Sequence, residues 1–419
     1  MTQHRAGKWI ALFVSFLTTV IMFISYVGYS PLVPEIMADL EIGYTEVGWL
    51  ASISTITAGV VVLFTGALID RLGPKKVIVL SLWFLVLCQI LNAIATDYVT
   101  LLLVRALMGA SIGLLLVAPY TMAMRWFERD GRLGLAMGVM LTTDGIGAAF
   151  GVYVWAISTS ALGWRGQAWM GAVVIGVTAI IAGVLLREPP QFVLEKRESI
   201  ASAFAGYRRV LRDRRVWGAV LFLTGIWGPY SIGAFWLPTI LMEDAGWSEP
   251  TSGLVSSLYA LAGVITGVVF GLLSDLAGKR RQFILISGIA TTLAFAAAAV
   301  FLQSSDFLML AVMLPIAGLA AYIGLPLTYA LAADSVGINR AATANGVILG
   351  LGFLAGATVF PLVLGASKGL SGNYTLGFYV IVAAQLLCNV IAPMFLSKDV
   401  ARQAEAQKSE SARSLPTSQ

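Results

Sequence analysis

The feature that most constrains this chain is a series of twelve apolar stretches, each about 20 residues long, as a bilayer span requires. They lie at 9–33, 47–68, 76–95, 99–122, 134–158, 167–186, 216–241, 253–273, 282–302, 308–330, 342–365 and 374–396. Of the 419 residues, 58% are hydrophobic and only 12% are charged, so lipid rather than water is the expected solvent. The sequence therefore predicts an all-α membrane protein with twelve transmembrane helices.

The positions of the basic residues predict the orientation of these spans. With both termini inside, 24 of the 27 Lys and Arg residues fall on the cytoplasmic side. Arg165 and Lys368 then fall outside, and Arg105 lies within a span. Basic loops favour the cytoplasmic side of a membrane. We therefore expect a multi-pass protein of the cytoplasmic (inner) membrane, with both termini in the cytoplasm.

The second half of the chain repeats features of the first at an offset of about 205 residues. Gly66-x-x-x-Asp70 follows the second span, and Gly271-x-x-x-Asp275 follows the eighth. Repeated halves of this kind place a substrate site at their interface, near the middle of the bilayer. The predicted divisions are an N-terminal six-helix bundle at 1–190, a cytoplasmic linker at 191–214, a C-terminal six-helix bundle at 215–397 and a disordered cytoplasmic tail at 398–419.

The loop at 66–76, Gly-Ala-Leu-Ile-Asp-Arg-Leu-Gly-Pro-Lys-Lys, recurs in part between spans eight and nine. On this loop the chain resembles the major facilitator superfamily over residues 8–397, in which it is a signature. Arg105-x-x-x-Gly109-x-x-x-Gly113 is similar to a second motif of that family, whose arginine is tied to proton coupling. The resemblance implies the major facilitator fold, with two bundles related by a pseudo-twofold axis, and secondary transport by alternating access.

The repeated loops are candidates for a conformational latch. The predicted latch residues are Gly66, Asp70, Arg71, Gly73, Lys75, Lys76, Arg132, Gly271, Asp275, Gly278, Arg280 and Arg340. Glycine lets two helices approach closely, and the aspartates can accept helix N–H groups or pair with arginine. Arg132 and Arg340 are the expected partners. In the alternative interpretation, these residues are only topogenic charges.

Away from helix ends, only Arg105 and Asp144 place a charge within a span. Such residues are costly in lipid and tend to face a cavity and carry function. Asp144 is expected roughly 18 Å into its span and Arg105 roughly 10 Å from the outer face. Two interpretations stay open. The residues pair with each other as a structural bridge, or Asp144 takes up a coupling proton while Arg105 holds an anionic substrate or senses the proton.

Aromatic side chains supply further candidates for the lining of a cavity. Tyr26 and Tyr230 occupy repeat-related positions in spans one and seven, and buried hydroxyl groups require partners. Trp227, Tyr259 and Tyr322 are additional candidates. The alternative for all five is packing within a bundle.

Spans four and five suggest the class of solute. The stretch 138–147 lacks the proline of drug:proton antiporters, whereas 125–138 is similar to the small-anion branches, such as the cyanate-type, monocarboxylate and oxalate/formate porters. The chain departs from those branches because spans eight and eleven lack the cationic residues of oxalate/formate porters. The helix-5 asparagine of nitrate porters is also missing. The leading prediction is proton-coupled symport of a small anionic solute.

Three other functions remain open, namely export or antiport of a small molecule, a non-transporting membrane sensor, and a channel. An enzyme is not expected, because His4 is the only histidine and Cys88 and Cys388 are far apart. We expect no metal and no cofactor, with the proton as coupling ion. The expected partners are a small-molecule substrate and the lipid bilayer, with no nucleic acid, and the chain is predicted to be monomeric.

Overall fold

The computed structural model describes residues 2–127, 132–188, 210–277, 279–336 and 341–395, and every regular element in these ranges is helical. The first half contains α1 (Thr2–Val27), α2 (Val33–Leu40), α3 (Tyr44–Leu72), α4 (Pro74–Ala93), α5 (Tyr98–Leu115), α6 (Ala118–Phe127), α7 (Leu133–Leu141) and α8 (Thr143–Leu185). The second half contains α9 (Arg214–Ser231), α10 (Leu237–Glu243), α11 (Glu249–Ala277), α12 (Arg280–Gln303), α13 (Phe307–Val336), α14 (Ala341–Gly352), α15 (Thr358–Ser371) and α16 (Thr375–Phe395).

These helices form the predicted spans. Within the described residues, ten segments are long and apolar enough to cross a membrane, including Gly7–Leu40, which joins α1 to α2, and Arg214–Glu243, which joins α9 to α10. Helix α8 bends at Gly163, where φ is +63°, and so supplies most of span five and all of span six. Helices α11 and α16 occupy the places of spans eight and twelve. The architecture is the expected twelve-helix arrangement of two six-helix bundles.

The N-terminal bundle comprises α1–α8 and the C-terminal bundle comprises α9–α16. They meet along two seams, with α3 against α14 and α15, and α8 against α11. We call the end that carries Glu41 and Ala95 the outer end, and the end that carries Gly73 the inner end. Most of the predicted linker and all of the predicted tail fall in 189–209 and 396–419, which lie outside the described residues, so those divisions remain predictions.

Two spans of the C-terminal bundle are interrupted by a π-helical turn. One turn, Ile232–Trp236, lies between α9 and α10, and the other, Phe353–Ala357, lies between α14 and α15. A π turn widens a helix locally and is frequent at functional sites. Phe235 and Phe353 lie in these turns, and both contact the ring of Tyr26 across the bundle interface.

Glycines set the packing of α5 on α3, the helix pair that carries Arg105 and its neighbours. A Cβ atom at Gly109 would overlap the backbone oxygen of Ser54, and one at Gly113 would lie 2.6 Å from the oxygen of Ala58. The Arg105-x-x-x-Gly109-x-x-x-Gly113 pattern therefore brings two backbones together, as small residues do in membrane helix pairs. This contact holds Arg105 against α3.

Glycines of α8 place Asp144 in the same way. A Cβ at Gly147 would lie 2.8 Å from the oxygen of Val20, and one at Gly151 would lie 2.9 Å from the Cα of Ile24, both in α1. On the opposite seam, a Cβ at Gly145 would lie 2.8 Å from the oxygen of Ala260 in α11. Asp144 is thus fixed where both bundles meet.

Replacing Gly109 by alanine is expected to destabilise the protein by about 1–3 kcal/mol, because the added methyl group overpacks the α3–α5 contact. The measurement is the midpoint of thermal unfolding of the purified protein in detergent. The matched control is Gly138→Ala in α7, where a Cβ meets nothing within 4 Å, and where alanine favours the helix. Equal midpoints for the two variants would contradict this account of the packing.

Candidate functional site

Arg105 is buried in α5 without a carboxylate partner among the described residues. Its side chain is 3% exposed. Its Nε donates a hydrogen bond to the backbone oxygen of Leu50 at 3.3 Å, and its guanidinium lies 4.0 Å from the centre of the Tyr29 ring. Its Nη2 has no hydrogen-bond partner in the described part of the chain. A cation–π contact and one carbonyl oxygen leave most of its hydrogen-bonding capacity unused.

Asp144 makes a hydrogen bond between the two bundles. Tyr322, in α13, donates its hydroxyl to Asp144 Oδ2 at 2.8 Å, and the Gly145 N–H donates to Oδ1 at 2.7 Å. The interpretation in which Arg105 and Asp144 form a structural bridge is therefore wrong for this conformation. Arg105 contacts Leu50, whereas Asp144 contacts Tyr322.

The structure brings the five aromatic candidates of the sequence together at the bundle interface. Tyr26 shares a 3.0 Å hydrogen bond with Thr55 Oγ1. The ring centres are 4.8 Å apart for Trp227 and Tyr230, 4.8 Å for Trp227 and Phe353, and 6.2 Å for Tyr230 and Tyr259. Tyr322 belongs to the same aromatic cluster. Its ring packs against Gly263, and its hydroxyl donates to Asp144. All of these rings are buried, so a ligand reaches them only after the bundles separate.

Sequence reasoning missed four contributors to this site, namely Tyr29, Thr55, Phe235 and Phe353. Tyr29 follows Tyr26 by three residues, which is a signal that could have found it. Thr55, Phe235 and Phe353 give no such signal, because a threonine or phenylalanine inside a span is ordinary.

Five buried polar groups of the site have no hydrogen-bond partner among the described residues. They are Arg105 Nη2 and the Tyr29 hydroxyl in the N-terminal bundle, and Trp227 Nε1 and the hydroxyls of Tyr230 and Tyr259 in the C-terminal bundle. An unsatisfied buried donor costs about 1–3 kcal/mol. A ligand bound between the two bundles can supply the partners that these five groups lack.

At the inner end, Asp70 pairs with a different arginine from the one expected. Arg125 Nη2 donates to Asp70 Oδ1 at 2.9 Å, whereas Arg132 is exposed at the N-cap of α7. The partner of Asp70 is thus Arg125 and not the expected Arg132, because the last described turn of α6 lies beside the last turn of α3. The pair lies within the N-terminal bundle, so it does not join the bundles in this conformation.

The helix N-terminus beside this loop is capped by another acid. The Lys75 N–H donates to Glu188 Oε1 at 3.0 Å, and Gly73, with φ of +82°, turns the chain against the same carboxylate. Burial raises the pKa of Glu188, and the Lys75 N–H with nearby cations opposes the shift. We expected Asp70 to accept a hydrogen bond from the N-terminus of a neighbouring helix, but Glu188 accepts it.

The remaining predicted latch residues differ in their exposure, and some of them lie outside the described residues. The expected close approach at Gly66 is wrong in this conformation, because a Cβ there meets nothing within 4 Å. Arg71 and Lys76 are exposed, and Arg280 is half-buried. Gly278 and Arg340 lie outside the described residues. The side-chain surroundings of Gly271 and Asp275 also fall outside what the structure describes.

At the outer end the bundles are joined directly. Tyr44 of α3 donates its hydroxyl to Glu243 of α10 at 2.9 Å, and Tyr374 donates to the same carboxylate at 3.4 Å. Lys368 pairs with Asp244 at 2.7 Å and lies over the rings of both tyrosines. We call these five residues the outer cluster.

Two further hydrogen bonds between the bundles lie in the outer half of the interface. Ser30 donates to the oxygen of Phe235 and Ser52 donates to that of Thr358, each at 2.8 Å. Together with the outer cluster, they close the interface at its outer end.

The sequence model of the "Major Facilitator Superfamily" matches residues 15–248 and 230–418, so the chain belongs to this superfamily of membrane transporters. A solved structure of a bacterial homologue of the human lysosomal transporter Spinster, inward-facing and unoccupied, has a TM-score of 0.73 at 16% identity, covering 93% of this chain and 96% of that one. This likeness shows that the two proteins share a fold.

Three curated relatives are about equally distant. The "Probable L-galactonate transporter" of Escherichia coli K12 is 25% identical, covering 70% of this chain and 69% of its own. The "Probable sulfoacetate transporter SauU" of Cupriavidus necator is 25% identical with 95% of each chain covered. The "Probable nitrate/nitrite antiporter NarK1" of Thermus thermophilus is 24% identical, and the match covers 67% of this chain and 64% of the relative.

Removing the Tyr44 hydroxyl is expected to favour opening of the outer end. Tyr44→Phe deletes the hydrogen bond to Glu243 between the bundles, and a bond to a charged group contributes about 1.5–3 kcal/mol. We expect the ratio of outer-open to outer-closed molecules to rise about tenfold or more. The measurement is pulsed electron–electron distance analysis between spin labels at Thr96→Cys and Leu370→Cys, with Cys88 and Cys388 replaced by serine.

The control for this prediction is Tyr379→Phe, which removes a hydroxyl bonded to Gln303 inside the C-terminal bundle. It should leave the distance distribution unchanged. If Tyr44→Phe behaves like Tyr379→Phe, the outer cluster does not hold the bundles together.

Proposed function

We propose that this chain is a proton-coupled symporter that imports a small anionic solute across the cytoplasmic membrane, with both termini in the cytoplasm. The observation that carries the proposal is the buried Arg105 guanidinium, which has no carboxylate partner and an unpaired Nη2 among the described residues. A buried charge is costly unless it is paired. A substrate anion supplies the missing partner, and the guanidinium fork suits a planar carboxylate, sulfonate or nitrate group.

The geometry of Asp144 supports proton coupling. As a carboxylate, it accepts both the Tyr322 hydroxyl and the Gly145 N–H. Protonation converts one oxygen into a donor, so the hydrogen bond from Tyr322 weakens or rearranges. Because Tyr322 belongs to the other bundle, uptake of a proton changes a contact that resists bundle movement. The proton would enter here, and no cofactor is required.

The names of the relatives support an anionic solute, since galactonate, sulfoacetate and nitrate are all anions. Exchange or export is the second candidate, because one relative is named an antiporter and the same site serves either direction of flux. The latch residues of the inner loop keep their proposed role for the outward-open state, with Arg125 as the partner of Asp70.

Asp144→Asn is expected to abolish accumulation driven by a pH gradient while leaving substrate binding and substrate exchange intact. The amide mimics the protonated side chain and has no site for the coupling proton. The measurement is uptake into proteoliposomes with and without an imposed pH gradient, using whichever of L-galactonate, sulfoacetate and nitrate raises the thermal stability of the purified protein.

The control is Asp97→Asn, which makes the same chemical change at an exposed N-cap where asparagine also serves. Undiminished gradient-driven accumulation by Asp144→Asn would remove this residue from the coupling mechanism.

Arg105→Lys is expected to weaken binding of the same anion by about tenfold or more, since lysine keeps the charge but loses the planar fork and the stacking on Tyr29. Binding is measured by titration calorimetry on the purified protein. Arg187→Lys, an exposed change outside the spans, is the control. Equal affinities for Arg105→Lys and Arg187→Lys would show that the guanidinium does not hold the anion.

A further inference from the structure

Three unpaired donors of the C-terminal bundle lie within the aromatic cluster. Trp227 Nε1 and the hydroxyls of Tyr230 and Tyr259 belong to α9 and α11 and have no hydrogen-bond partner among the described residues. Their side chains are only 6%, 3% and 1% exposed. The hydroxyls of Tyr26 and Tyr322, in the same aromatic cluster, are paired with Thr55 and Asp144. Among these five side chains, the three unpaired ones are therefore Trp227, Tyr230 and Tyr259.

The three donors are held in fixed positions. Trp227 packs edge-to-face on Tyr230, which in turn packs on Tyr259. A Cβ at Gly233, in the π turn Ile232–Trp236, would lie 2.8 Å from the Tyr259 ring, so this turn presses directly on the side chain. Rigid donors that are not satisfied by the protein are suited to a ligand that arrives with matching acceptors.

This group carries no positive charge to balance a second anionic end on the ligand. Residues 216–278 and 341–367 contain no Lys or Arg, so the spans that surround the three donors supply no cation. An indole N–H only donates, and a phenol donates or accepts one hydrogen bond. Uncharged oxygen atoms such as hydroxyl and carbonyl groups are the acceptors that match, and the faces of Trp227 and Phe353 offer apolar surface to a carbon skeleton.

A small inorganic anion does not meet both sets of groups. Between Tyr26, which neighbours Arg105, and Trp227 lies the Phe353 ring, with centre-to-centre distances of 6.0 Å and 4.8 Å. An anion such as nitrate that binds Arg105 and Tyr29 has no further oxygen to reach across this ring. An organic acid with hydroxyl groups along its chain carries such oxygens and can reach both Arg105 and the three donors.

We propose that Trp227, Tyr230 and Tyr259 form a second subsite that hydrogen-bonds the uncharged oxygens of the substrate, so the substrate class is hydroxylated organic monoanions. This subsite rests on the proposed function, because Arg105 holds the charged group. The N-terminal bundle thus recognises charge, and the C-terminal bundle recognises the body of the molecule.

The test measures binding of four probes to the full-length purified protein by titration calorimetry. The probes are gluconate, hexanoate, succinate and nitrate. Gluconate and hexanoate are six-carbon monocarboxylates that differ only in hydroxyl groups. We expect gluconate to bind at least tenfold more tightly than hexanoate, succinate or nitrate. Tyr230→Phe and Tyr259→Phe should each weaken gluconate about 5- to 10-fold, the effect of one lost hydrogen bond, and leave nitrate unchanged.

Tyr379→Phe is the matched control and should not affect any probe. Trp227→Phe provides a second variant that removes a donor while retaining an aromatic ring, and the unfolding midpoints of the ligand-free variants verify that each one is folded. Two results would overturn the subsite. The first is that nitrate, hexanoate or succinate binds as tightly as gluconate, and the second is that none of the three substitutions affects gluconate binding.

If the subsite is overturned, Arg105-dependent binding of an anion would still support the proposed function. Absence of Arg105-dependent binding for every probe would contradict the proposed function and the subsite together.

Discussion

The cost of charge in a hydrocarbon environment is the constraint on which the rest of this structure depends. Only Arg105 and Asp144 bring charge into the middle of the spans, and both lie on helices that line the bundle interface rather than on lipid-facing surfaces. The glycines of α5 and α8 keep them there by allowing α3, α1 and α11 to approach within backbone contact. Close packing of small residues is thus what makes two expensive side chains tolerable, and their location defines the site.

Much of the architecture could be predicted from the sequence, because a span of about 20 apolar residues has few alternatives in lipid. The occurrence of Arg105 and Asp144 within spans, and of Tyr26 and Tyr230 at repeat-related positions of spans one and seven, also followed from hydropathy and the internal repeat. The hydrogen-bond partners of these residues could not be predicted from the sequence. Tyr322 reaches Asp144 through the packing of α13 beside α11, a long-range arrangement that leaves no local pattern.

The errors at the inner loop have a common origin. Arg132 and Gly66 were assigned from their places in a repeated motif, but the contacts of a loop depend on where the neighbouring helices end. Helix α6 carries Arg125 to the side of Asp70, a place that the motif had given to Arg132. The π turns at Ile232–Trp236 and Phe353–Ala357 were not foreseen, since π turns have no distinctive composition, yet they direct Phe235 and Phe353 toward Tyr26.

Under the proposed function, the polar groups of the interface also oppose the movement of a proton without substrate. In the closed, ligand-free arrangement, five buried donors are unpaired at about 1–3 kcal/mol each, and the Asp144–Tyr322 hydrogen bond offsets part of that cost. Protonation without substrate removes the offset and leaves the donors unpaired, so closure around a proton alone is disfavoured. Protonation with substrate satisfies the donors from the ligand, and closure becomes favourable again. A proton therefore crosses only in the company of its substrate.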